Sequence, residues 1–494
     1  MISEPLKRSR DFEARHMPLI PETQRPVFHV TGGVGWINDP NGFSCYKGEY
    51  HLFFQYHPYS VEWGPMHWGH VKTRDFLRWE RLPAALAPDT AYDGGGCFSG
   101  SAIELPDGRH LLFYTGVRPQ GREYGASDAY QTQCLAVGDG VDYEKFEGNP
   151  VLTGKDLPEG GSPLDFRDPK IWREADGLYR CVVGNRAADG SGAVLLYESG
   201  DAFRWRCAGV IDACRNAYGR MWECPDFFPL NGKQVLLVSA QEMAAQGLEF
   251  RAGYGTLAFI GTWDEAARRF TREQCQAIDY GIDFYAPQTL KSYDGRRIMI
   301  AWMQDWANVG CPAPDSRFFG EMTLPRELSV KEGRLLQNPV RELDAFRGRH
   351  VAYQDVPVTT EVDLPGIRGR VLDMTVSVRP AGNGCRWFKL HLAKDGEHAT
   401  TIRYEPGRST VRVDRSRCGV RHGSVHVRDF SVRPQNGAIK LRVVLDRHSL
   451  EIFVNDGEQA ASFILYTPQQ ADAVSFESAG GVLVDVEKYD LNFE

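Results

Sequence analysis

The chain predicts an all-β protein: a five-bladed β-propeller followed by a C-terminal antiparallel β-sandwich. Three observations carry that expectation. Apolar and alternating runs are short and bounded by turn residues, as in "YHLFFQY", "HLLFYTGV", "LYRCVVG", "QVLLVSA" and "RIMIAWM", while helical periodicity is almost absent. These runs follow a short polar-aromatic motif that recurs five times. The composition then changes, because ten of the eleven Trp residues precede position 310 and only Trp387 follows.

Bulk composition narrows the class. A length of 494 residues predicts two or three domains. Hydrophobic residues at 42% and charged residues at 25% are those of a soluble globular protein. No run of 18 apolar residues is present, so no membrane partner is expected. A net charge of −8 without a basic stripe argues against nucleic acid. The Arg-rich stretch from Arg403 to Arg433 carries interleaved acids and alternates as strands do. Eleven scattered cysteines with no C-x-x-C pair point to reduced, mostly buried thiols rather than a disulfide framework or a zinc site. Residues 1–26 form a charged extension without an apolar signal core, so a cytoplasmic location is expected. No cofactor is implied. His67 and His70 of "HWGH" lack a third ligand at suitable spacing, so no metal is expected.

The five motifs are "NDPNGF" (38–43), "CFSGSAI" (97–103), "FRDPKIW" (166–172), "ECPDFF" (223–228) and "FYAPQTL" (284–290). A spacing of about 55 to 70 residues reads as five units of a radially repeated sheet across residues 27–340, an architecture that protects its strand edges by closure. Residues 341–352 read as a linker, and 353–494 as a strictly alternating sandwich. There "IKLRVVLDRHSLEIFVNDG" (439–457) predicts two strands and a turn, and "GGVLVDVEKYDLNF" a closing strand.

If each motif opens the innermost strand of its blade, equivalent positions converge at one end of the channel. Asp39, Asp168 and Glu223 then share one funnel with Phe98, Ser99 and Tyr285. Taken alone, Asn-Asp-Pro-Asn-Gly is ordinary turn chemistry. Recurring at one phase of a repeat, the acids read as a cluster. Carboxylates among aromatic faces suggest sugar chemistry, and glycoside hydrolysis needs one ionised carboxyl and one that keeps its proton.

In this order, "WINDPNG", "FRDPK" and "ECPDFF" resemble the three signature motifs of glycoside hydrolase family 32, the β-fructofuranosidases. The resemblance continues through "HLFFQYHP", "WGHVKTRDFLRWERLP", "GCFSGSAIE", "QTQCLAVGDG", "DYGIDFYAPQTL" and "LEIFVNDGEQ", and so spans nearly the whole chain. It implies Asp39 as nucleophile, Glu223 as acid/base and Asp168 as transition-state stabiliser. It places Trp36, Asn38, Gln55, Trp63, Phe98, Ser99, Arg167, Tyr285 and Trp302 around a fructose unit. Arg167 is expected beside Asp168, keeping that acid ionised while Glu223 retains its proton.

The implied activity is a retaining β-fructofuranosidase acting on terminal non-reducing residues of sucrose and short fructo-oligosaccharides. The alternatives are a sucrose-6-phosphate hydrolase, a fructan exo-hydrolase, a fructosyltransferase and a non-catalytic fructan-binding protein. "SAQEM" (239–243) and the following "AAQGLEFRAGYG" depart from the family's Ser-Pro-Gln-Gly-like element, in loops expected to border the leaving group. The partner is a small sugar. Oligomeric state is left open, with a homodimer among the options.

Overall fold

The structure, a computed structural model, describes residues 2–119, 130–215, 217–307, 309, 316–382, 384–419 and 425–493. Almost every regular element is a strand. The exception of any length is helix α1 (Glu4–His16). Ser3 caps it by accepting the Leu6 N–H at 3.3 Å, Pro5 sits in its first turn, and Arg15 and His16 complement the dipole at its end. Its buried residues are Leu6, Ser9 and Glu13. Only one of the three is apolar, so the helix leaves almost no hydrophobic period in the sequence.

Five sheets follow, each built on four antiparallel strands close in sequence; the first gains a fifth, Phe318–Phe319, which pairs in parallel with its first strand at Gly35 and Trp36. Their first strands are β1 (Gly35–Tyr46), β2 (Gly96–Glu104), β3 (Phe166–Arg173), β4 (Met221–Leu230) and β5 (Tyr285–Lys291). These pack side by side: β1 against β2, β2 against β3, β3 against β4, β4 against β5, and β5 back against β1. Each of the five recurrent motifs lies on one of these strands.

Each first strand also breaks register with its neighbour at its motif. The shifts fall between Ile37 and Pro40, Phe98 and Gly100, Arg167 and Lys170, Glu223 and Asp226, and Tyr285 and Gln288. Asp168, Cys224 and Ala286 take left-handed backbone, with φ of 67°, 47° and 52°. Pro169, Pro225 and Pro287 come next, where a bulge has no ladder bond for the missing N–H to make. In β2 the equivalent residue is Gly100, and a Cβ there would lie 2.0 Å from the Phe113 carbonyl oxygen.

The C-terminal part forms two further antiparallel sheets. One has six strands, in the order 347–358, 482–491, 371–380, 439–446, 449–454, 459–464. The other has five, in the order 427–431, 410–417, 399–405, 387–394, 473–479. Alternate residues of both sheets, including Met374, Val376, Leu390, Ile402, Val413, Leu441, Ile452 and Phe476, meet in one core. The whole is consistent with a β-propeller followed by a β-sandwich.

Buried charges join the two parts. Arg326 donates to Glu451 at 2.6 and 3.0 Å and to Asp279 at 2.9 Å. His29 bridges Asp446 and Glu451 at 2.9 and 3.0 Å. Burial opposes the His29 charge, but bonds to the two carboxylates outweigh it and push its pKa up to about 10. The ten described cysteines are free thiols, and Cys311 lies outside the described residues. Among the described residues no helix is long and apolar enough to cross a membrane.

Candidate active site

The five bulges align the tripeptides Asn38-Asp39-Pro40, Phe98-Ser99-Gly100, Arg167-Asp168-Pro169, Glu223-Cys224-Pro225 and Tyr285-Ala286-Pro287. In a regular strand, neighbouring side chains point to opposite faces. At a bulge two successive residues face one partner, and both can turn toward the same cavity. Two rows result. One holds Asn38, Phe98, Arg167, Glu223 and Tyr285; the other holds Asp39, Ser99, Asp168, Cys224 and Ala286. The expectation that the three acids occupy one phase is corrected by one residue: Glu223 stands in the row of Arg167, not in that of the two aspartates.

This offset gives the acids different partners. Ser99 Oγ donates to Asp39 Oδ2 at 2.8 Å, and Asn38 Nδ2 donates to Asp39 Oδ1 at 3.1 Å. The Cys224 N–H donates to Asp168 Oδ2 at 2.9 Å. The Cys224 thiol lies 3.7 Å from Asp39 Oδ2 and 3.6 Å from Asp168 Oδ2, between the two aspartates. Glu223 instead receives Arg167 Nε and Nη2 on Oε1, at 3.0 and 2.9 Å, and the Tyr285 hydroxyl on Oε2 at 2.6 Å.

A second layer fixes these groups. Trp36 Nε1 donates to Asn38 Oδ1 at 2.8 Å, and Thr115 Oγ1 accepts the Asp168 N–H at 2.9 Å. Gln131 Oε1 accepts from the Phe166 N–H at 3.0 Å and from Arg167 Nη1 at 3.3 Å.

Electrostatics follow from this packing. Burial first, and the Glu223 charge second, push the Asp39 carboxyl up to about 6. For Asp168, burial and the neighbouring acids outweigh the attraction of Arg167 and lift it to about 7. Burial and the neighbouring acid charges therefore disfavour full ionisation of Asp39 and Asp168 near neutrality. The expected Arg167–Asp168 pairing is also corrected, since the guanidinium directs its fork at Glu223. The cause is the row offset, which puts Arg167 and Glu223 side by side while Asp168 turns away with its left-handed φ. The Tyr285 phenol is pushed well up by burial and by Glu223, so it stays a hydrogen-bond donor.

A cavity of about 660 Å³, open to solvent, holds the three acids. Of the other predicted residues, Asn38, Gln55, Trp63, Phe98, Ser99 and Arg167 line it. Trp36, Tyr285 and Trp302 are buried behind its wall. Trp36 stacks on Phe319 and Trp306, at centroid distances of 5.0 and 6.1 Å, with Trp302 tilted against it at 5.9 Å. Gln241, Tyr254 and Trp306 complete the lining; the first two belong to the segments "SAQEM" and "AAQGLEFRAGYG" expected to border the leaving group, though both stand on strands rather than loops, and only Trp306 was not singled out. Gln241 and Tyr254 lie on the second and third strands of the sheet that begins with β4, outside the recurrent motif. Trp306 had a faint signal, as an aromatic just after "RIMIAWM".

His67 and His70 do not face the cavity. His67 Nδ1 lies 3.0 Å from the Pro65 carbonyl oxygen, and His70 stacks on Phe53 and bonds His51 at 2.9 Å. Burial lowers both rings, His67 to about 4, and keeps them neutral. Among the described residues no group of three or more His, Cys, Asp or Glu side chains is arranged to hold a metal ion.

Bulged strands thus gather carboxyls, a guanidinium and aromatic rings into one open cavity. Residues 29–339 match the N-terminal domain model of glycosyl hydrolases family 32, and residues 342–492 match the C-terminal model of the same family. The chain belongs to that family and is a glycoside hydrolase. It is 36% identical to the raffinose invertase of Escherichia coli, with 93% of each chain covered. It is 37% identical to a sucrose-6-phosphate hydrolase of Zymomonas mobilis, covering 94% of this chain and 90% of the relative. The solved family 32 β-fructofuranosidase of Bombyx mori superposes with a TM-score of 0.83 at 33% identity, covering 98% of both chains.

Proposed function

We propose that the enzyme is a retaining β-fructofuranosidase that hydrolyses sucrose and short fructo-oligosaccharides from the non-reducing end. Asp39 attacks the anomeric C2 of the fructosyl unit as Glu223 protonates the departing oxygen. The C2–O bond breaks with its electron pair on the leaving sugar, and an ester forms between C2 and Asp39. Glu223 then takes a proton from water, which attacks C2 and frees Asp39. Asp168 binds fructose hydroxyls, and charge spreading from C2 in the transition state is favoured by its carboxylate. Donation from those hydroxyls favours an ionised Asp168.

The observation that carries this reading is the division of partners. Asp39 is held by two neutral donors and is left free to attack, whereas Glu223 is clamped by Arg167 and Tyr285 in the same cavity. The closed sequence of contacts among the first strands supports five blades. On this reading residues 27–340 form the catalytic propeller; the expected connector 341–352 shortens to 341–346, because the first sandwich strand already begins at Arg347 and pairs with the strand 482–491. Ten free thiols favour a reducing compartment, and we place the enzyme in the cytoplasm.

Relatives named for sucrose 6-phosphate favour a second reading, in which the leaving group is phosphorylated. A panel of sucrose, sucrose 6-phosphate, short inulin-type oligosaccharides, inulin and levan decides between them by kcat/KM. Sucrose is expected to lead. No hydrolysis of any member would overturn the assignment.

A further inference from the structure

We propose that helix α1 is part of the substrate-binding apparatus: through Phe12 and Tyr59 it holds the loop that presents Trp63 to the sugar, making both positioning residues. This rests on the fructoside reading of the cavity.

Residues 58–66 connect strands Glu49–His57 and His67–Thr73 of the first sheet. Trp63 sits on this loop with half of its surface exposed, edge-on to Phe98 at 6.2 Å, and both rings line the cavity. A large aromatic plate on a loop loses binding energy unless something fixes the loop, because each ordered segment costs conformational entropy on binding.

The bracing runs through a chain of contacts. Phe12 of α1 meets the Tyr59 ring edge-on at 5.2 Å. Tyr59 in turn packs edge-on against His57 at 5.9 Å and His67 at 5.7 Å, the residues that close the two ends of the loop. His57 Nδ1 bonds the Glu62 carbonyl at 2.9 Å, and its ring leaves no room for a Cβ on Gly64, which would lie 2.3 Å away. Glu62 and Gly64 flank Trp63. From helix to platform, the path is Phe12, Tyr59, His57, then the two neighbours of Trp63.

The helix has its own anchorage, so it can act as a fixed wall. Arg10 Nε donates to the Ala84 carbonyl at 2.8 Å, and the Ala84 N–H donates to Glu13 at 3.1 Å. Arg10 also pairs with Asp142 at 2.7 Å. Just beyond the helix, Met17 fills the space a side chain on Gly33 would need.

The test is a double-mutant cycle on sucrose kinetics with Phe12→Ala, Trp63→Ala and the pair, alongside melting curves. Phe12→Ala is expected to raise KM about five-fold with kcat within about two-fold, and to add nothing in the Trp63→Ala background. Phe12→Leu, which keeps an apolar contact on Tyr59, is expected to recover most of the lost KM. Equal increments in both backgrounds, or an unchanged KM in Phe12→Ala, overturn the proposal. If Phe12→Ala melts too low to assay, Tyr59→Leu empties the same contact from the loop side and enters the same cycle. Inactivity of the parent chain on every fructoside overturns the fructoside reading and this proposal with it, whereas active, strictly additive variants overturn this proposal alone.

Discussion

Replacing Asp39 by Asn should abolish hydrolysis and stabilise the fold at alkaline pH. Burial raises the Asp39 carboxyl from 3.8 to about 6, so the folded chain resists its ionisation. The sign follows from linkage. A carboxyl raised on folding costs nothing below its unfolded value, and the cost grows as pH rises through about 6. A shift of roughly two units amounts to roughly 3 kcal/mol at full effect. Exposure to the open cavity reduces that figure by screening, and an Asn amide can satisfy only one of the Ser99 and Asn38 donors, a loss of about 1 kcal/mol. The net gain at pH 8 is then about 1 to 2 kcal/mol. With an unfolding entropy of roughly 1 kcal/mol/K for a chain of 494 residues, the melting temperature rises by about 1 to 2 °C. At pH 4 the gain vanishes and only the lost bond remains. Scanning calorimetry of parent and Asp39→Asn at both pH values measures the difference, and sucrose turnover is expected to fall by about 10⁴-fold. A variant destabilised equally at both pH values refutes the electrostatic reasoning, and one that turns over sucrose at the parental rate refutes the nucleophile.

Further expectations concern single groups. Tyr285→Phe removes the donor on Glu223 Oε2 and should lower kcat/KM by about 10-fold with little change in melting temperature; parental kinetics would show that the hydroxyl has no part in catalysis. The kcat/KM profile should fall on the acid side with a midpoint near 6, as Asp39 takes up its proton, and a profile flat down to pH 4 contradicts this. Arg326→Met strands the buried carboxylates Glu451 and Asp279 between the two parts of the chain and should cost about 3 to 5 kcal/mol, read from the urea midpoint. A neutral result there would mean that the ion pairs carry no part of the docking.

The sequence exposed the motif strands, the sandwich strands and the acid cluster, because alternation, turns and recurrence are all written in residue order. The row offset of Glu223 is not written there. It depends on bulges that turn adjacent side chains the same way, and their cue, a proline after each motif residue in four of the five strands, is also common in plain turns. The partner of Arg167 was misjudged for the same reason, since sequence adjacency to Asp168 counts for less than sharing a row with Glu223. Helix α1 escaped notice because its buried face is Leu6, Ser9 and Glu13. The segments holding Gln241 and Tyr254 were marked by their departure from the family pattern, but not these two residues, which reach the cavity from the second and third strands of their sheet, where no recurrent motif falls.

The most direct test of the central claim is the configuration of the transfer product. With sucrose as donor and methanol as competing acceptor, attack by Asp39 followed by displacement from the opposite face predicts methyl β-D-fructofuranoside as the sole methyl glycoside. NMR of the early product mixture reads this directly. The α-anomer as the first product would contradict a covalent intermediate on Asp39 and the mechanism built on it.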